Sequence, residues 1–184
     1  MQTSQALRHN MSQPEVWLRG PINGFLPQVM PVAHALLQAR EDLERHVPGI
    51  SPSELWIRPG GAASMGFHLR HLAGSMDRLL TYALGRSLDR TQLQALAVES
   101  EPGDPPAEVG ALLDHALSTI ERTLDTIRSI PEDELFAERR VGRAGLPSTT
   151  LGLLFHVGEH TTRHVGQFIT TKKVVRGLDL DEPF

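Results

Sequence analysis

The chain has no cysteine in its 184 residues. That excludes disulfides and cysteine-ligated zinc, and any thiol chemistry would need a thiol supplied from outside. No stretch is apolar enough to span a bilayer. The opening segment, MQTSQALRHNMSQPEVWLRG, has no basic region followed by an apolar run, so it does not read as a secretory signal. A cytoplasmic protein with no membrane association is the expectation. There is no excess of positive charge either: the net charge is −4, which gives no general drive toward nucleic acid. Internal repeats, low-complexity tracts and convincing strand runs are also missing.

What remains is an ordinary globular composition, 40% apolar and 22% charged, at a length that suits one domain over 1–184 and can bury a core without cross-links. The predicted core covers about residues 25–176, with a polar arm over 1–20 and an acidic tail over 177–184 outside it. Apolar residues recur at helical spacing in four long segments: about Pro27 to Val47, Ser64 to Gly85, Pro106 to Ile130 and Ser148 to Arg176. Ser64 is a candidate N-cap, and Pro48, Pro131 and Gly177 are candidate stops. Short turns or helices are expected near Ser51 to Leu55 and Asp89 to Glu99. The stretch RRVGRAGLP has room for a brief hairpin, with Arg139, Arg140 and Arg143 facing solvent. The pattern predicts an all-α fold, a four-helix bundle with additional short helices.

The histidines carry the chemistry. There are nine, and His68, His71, His156, His160 and His164 fall in two helical segments. His160 and His164 are one turn apart and share the apolar arc of Leu153, Val157 and Phe168. Neutral imidazoles buried in such a face lose solvation with little return unless something binds them. A metal ion is an efficient partner. On the second helix, a wheel at about 100° per residue places His68 nearer the apolar centre and His71 on its flank with Phe67, Ser75 and Tyr82. Three imidazoles would leave an open coordination position, as catalytic rather than structural zinc sites do. Imidazole also suits nickel, copper and iron; zinc or nickel is the first expectation and iron the next.

Two competing motifs fare worse. His156-Val157-Gly158-Glu159-His160 matches the inverted zincin pattern H-x-x-E-H, but little chain follows for the further ligand, and Glu159 points off the inward arc. A ferritin-like di-iron site needs paired Glu-x-x-His motifs, and no glutamate here is followed by histidine at that spacing.

HLAGSMDRLL, starting at His71, and LLFHVGEHTTRHVGQF, from Leu153 to Phe168, resemble the second-helix and last-helix signatures of the DinB/YfiT superfamily. The likeness covers roughly residues 25 to 176. It implies a metal triad of one second-helix histidine and two from the last helix, which places the ligands at His71, His160 and His164. His68 and His156 are then extra, placed to orient the ligands or to line the pocket. The resemblance also implies a homodimer and, from members with known activity, a thiol-dependent S-transferase or isomerase acting on a small molecule with a low-molecular-weight thiol. Arg163 is a candidate to hold a carboxylate of that thiol, although an ordinary surface ion pair is the simpler role. Gln167 on the inward arc, and Tyr82 on the flank of His71, are candidate pocket residues. The alternatives are a metal-dependent hydrolase and a non-catalytic metal-binding dimer.

Overall fold

A computed structural model describes residues 13–177. Within them the chain is helical, with one small hairpin. The helices are α1 (Met30–His46), α2 (Pro52–Leu55), α3 (Met65–Ala83), α4 (Arg90–Ala97), α5 (Val109–Ser129) and α6 (Thr150–Gly177). The hairpin pairs β1 (Glu138–Val141) antiparallel with β2 (Leu146–Thr149). The all-α expectation is met. No helix among the described residues is long and apolar enough to cross a membrane.

The long helices form where the apolar period is sustained. Ser64 caps α3 by accepting a hydrogen bond from the Phe67 backbone N–H at 3.1 Å, which satisfies a donor the first turn would leave orphaned. Leu69, Leu72, Ala73 and Met76 follow on one face, all at 0% exposure. On α6 the matching face is Leu153, Leu154, Val157, Thr161, Val165 and Phe168, all buried. Each large side chain buried this way contributes roughly 1.5–3 kcal/mol. α3 and α6 make the most extensive helix–helix interface; α1 packs on α6, α5 packs on α3, and α1 also touches α5.

The start of α6 is fixed by the chain just before the hairpin. The Thr150 and Leu151 backbone N–H groups donate to the carbonyls of Ala137 (3.1 Å) and Leu135 (2.8 Å). This sets where His156, His160 and His164 lie along α3. Arg139, expected to be solvated, instead donates to the Ala83 carbonyl at 2.7 Å and to Glu134 at 2.8 Å. It closes the C-terminal end of α3, where unpaired carbonyls and the helix dipole favour a cation.

Part of the predicted N-terminal arm is anchored. A 3₁₀ turn at Val16–Arg19 buries Val16, and Arg19 pairs with Glu41 on α1. The remainder of the arm, residues 1–12, and the acidic tail 178–184 lie outside the described residues.

Candidate metal centre

α3 and α6 bring His71, His160 and His164 together. One ring nitrogen from each lies within 4.8 Å of the other two. His71 Nε2 and His160 Nε2 are 3.0 Å apart, and the ring centroid of His164 is 4.5 Å from those of both His71 and His160. A tetrahedral zinc with bonds of about 2.0–2.1 Å separates its nitrogen ligands by about 3.3 Å. The triad can therefore meet a cation with small side-chain adjustments. Phe67 stacks on His71, with centroids 5.0 Å apart and planes 14° apart, and its ring presents an edge to His164. An apolar wall on this side limits water.

The donor set suits a cation electronically. Burial, with the charge of nearby His71 second, pushes the His164 imidazole down to about 3 and that of His160 to about 4. Both are neutral at physiological pH and keep a lone pair free, as a metal ligand must. His160 Nδ1, the ring nitrogen other than the one nearest His71, is buried without a hydrogen-bond partner.

His68 is more deeply buried than His71, at 4% exposure, yet it stands outside the triad. Its Nδ1 lies 3.0 Å from His164 Nδ1, where it can orient that ring. Burial holds His68 down to about 4. The wheel judged the depth of His68 correctly, but His68 meets only His164 on α6, whereas His71 meets both His160 and His164.

The other candidates are dispersed. His156 bonds Glu159 (3.0 Å), and its ring lies beside that of His160, with centroids 5.1 Å apart, but it is not one of the three converging nitrogens. Arg163 is exposed and donates to both Glu159 oxygens at 2.6 Å, the ordinary ion pair. Gln167, expected on the inward arc, is exposed. It borders a cleft of about 530 Å³ together with His68, Arg163, Gly166 and Thr170. Tyr82 is half-buried against the core, about 16 Å along α3 from His71 at 1.5 Å per residue. It does not enter the site.

Glu99, just past α4, is the residue that sequence reasoning missed. It is buried at 4% exposure and accepts a hydrogen bond from His71 Nδ1–H at 2.6 Å. It also accepts one from Arg78 at 2.5 Å. Burial works to raise its pKa, but the bonds from His71 and Arg78 outweigh that and hold the carboxyl below its usual range.

The depressed histidines make the metal-free protein acid-sensitive. The unfolded chain takes up protons as pH falls through 6.5, while the folded His68, His160 and His164 resist until about 4 or 3. The unfolded state binds more protons in that window, so stability falls as pH drops through it and is unaffected by these groups above 6.5. Urea melts of chelator-treated protein should show a lower midpoint at about pH 5 than at about pH 7.5. Equal midpoints would contradict the depressed values.

A family model for the DinB superfamily matches residues 35–168, a span that includes all three histidines. No curated protein matches the chain.

Proposed function

The chain belongs to the DinB superfamily, and on that premise we propose that His71, His160 and His164 hold one divalent cation, zinc or nickel before iron, in a thiol-dependent S-transferase or isomerase. The observation that carries the reading is the convergence of three imidazole nitrogens from two distant segments in a chain without cysteine. Three ligands leave a position open. A cation there would supply Lewis acidity, lowering the pKa of a thiol that reaches it.

The cleft beside His68, which touches the triad only through the His68–His164 contact, has a volume within the range of small-molecule sites. Its lining carries Arg163, whose charge is already paired with Glu159, so an acidic reactant would have to compete with that ion pair. Gly166 leaves room on the α6 side, since a Cβ there would meet nothing within 4 Å. Gln167 and Thr170 offer hydrogen bonds at the rim, and Phe67 excludes water from the face of His71.

The second reading is metal-assisted hydrolysis, in which the open position would take water in place of a thiol. His68 lines the cleft, but the burial that holds it down to about 4 leaves it a weak proton acceptor. His156 and Glu159, the other candidates, are paired with each other, and Glu159 also with Arg163.

The test begins with metal content. Protein purified without a polyhistidine tag should carry about one equivalent of divalent metal per chain. It is then given small acidic thiols with an electrophile panel, and separately ester and amide substrates. Metal-dependent thiol consumption supports the transferase or isomerase. Metal-dependent hydrolysis without thiol consumption moves the assignment to the second reading. If chelation unfolds the chain and neither activity is found, the cation is a structural clamp.

A further inference from the structure

We infer that Glu99 is a positioning residue for the metal centre: it fixes His71 as the Nδ1–H tautomer, so that Nε2 presents its lone pair to the cation. The inference rests on the metal reading above and adds a residue that lies outside the triad and outside both histidine motifs.

The argument starts from burial. Helix α4 has no buried residue of its own, yet the carboxylate just beyond its C-terminus is among the most buried polar groups of the described chain. A carboxylate is expensive to remove from water unless its oxygens are engaged. Here both are. Oε1 accepts from Arg78 at 2.5 Å, and Oε2 accepts from His71 Nδ1–H at 2.6 Å. His71 and Arg78 are two turns apart on one face of α3, and Gly74 lies between them. A Cβ on Gly74 would overlap Glu99 Oε1 and lie 2.7 Å from Arg78 Nη1. The glycine is what admits the carboxylate to the helix surface.

If tethering α4 were the whole role, the ion pair with Arg78 would suffice. The second oxygen does something different. A neutral imidazole carries one N–H. With that proton on Nδ1 and donated to Glu99, Nε2 is left as the lone-pair nitrogen, and Nε2 is the atom 3.0 Å from His160 Nε2. Carboxylate–histidine–metal arrangements fix ring orientation and raise ligand basicity in this way, and their loss lowers metal affinity by roughly 10- to 100-fold. Arg78 keeps the carboxylate charged, and it makes no contact with a triad nitrogen.

The test is Glu99→Gln. The amide keeps the size of the side chain but can offer an N–H₂ toward His71 Nδ1, which favours the opposite tautomer. Zinc affinity is measured by chelator competition on the full chain, and the His71 ring tautomer by ¹⁵N NMR on metal-free protein. The expected result is zinc affinity weaker by about 10- to 100-fold, with wild-type His71 protonated at Nδ1 and the variant shifted toward Nε2. The NMR signature is one that a merely tethering residue would not move. Zinc affinity within about twofold of wild type, or wild-type His71 protonated at Nε2, overturns the inference while leaving the triad intact. Wild-type protein that takes up no zinc overturns the metal reading, and this inference with it. Should Glu99→Gln fail to fold, the wild-type tautomer decides alone.

Discussion

Protein carrying His160→Ala and His164→Ala together is expected to hold under about a tenth of an equivalent of divalent metal, against about one for the unaltered chain. The two substitutions remove both α6 donors and leave His71 alone. A single imidazole cannot hold a divalent ion against solvent and a competing chelator. The fold should survive, because the apolar face of α6 is built from Leu153, Val157, Val165 and Phe168, none of which is touched. Circular dichroism checks that point. His156→Ala is the matched control. That residue lies on the same helix one turn before His160, but it is engaged with Glu159. Its loss should leave the metal content unchanged. Full occupancy in the double variant would show the ligand assignment to be wrong. Lost occupancy in His156→Ala would mean that the site extends along α6 beyond the triad.

Gly74→Ala is expected to destabilise the protein by about 1–3 kcal/mol, opposite in sign to the usual effect. Alanine is favoured over glycine inside a helix by about 1 kcal/mol, and Gly74 is mid-helix in α3. The added Cβ, however, would collide with the buried Glu99–Arg78 pair. Side-chain ends ordinarily give way cheaply, but these are held to each other and to His71, so yielding breaks interactions made out of water. Gly166→Ala is the calibration. That position is also inside a helix, α6, with nothing within 4 Å of the added carbon, and the ordinary gain should appear there. For a chain of this length each kcal/mol moves the melting temperature by about 2–4 °C, so the two variants should move it in opposite directions. A Gly74→Ala protein more stable than its parent would mean that the pair is loosely held.

Much of this arrangement was legible in the sequence, and the residues that were not share one physical cause. The helices, the Ser64 cap and the i, i+4 pair of His160 and His164 are local features, set by period and by side-chain hydrogen bonds within a turn. The choice between His68 and His71 is not local. A helical wheel reports how a residue sits relative to its own helix, and the ring that joins the α6 pair is decided by where α6 passes. His68 turned out deeper and His71 nearer the other two rings. Gln167 shows the same limit: its arc is inward on the wheel, but the residue is exposed and borders the cleft. Glu99 was the hardest to see, because it follows a helix with no buried face and its partners are on α3. A signal was nonetheless present. Gly74 stands between His71 and Arg78 in the middle of a strong helical segment, and a glycine there usually marks a close approach.

All three imidazoles straddle a single seam, with one on α3 and two on α6. A shift of α6 by one residue along its axis is about 1.5 Å, whereas coordination tolerates errors of only about 0.2 Å. The apolar contacts of Leu72, Leu153 and Phe168 therefore act as the gauge blocks of the site. Wear in that packing, even a methylene trimmed far from any nitrogen, would register as weakened cation affinity before it registered as a loss of fold.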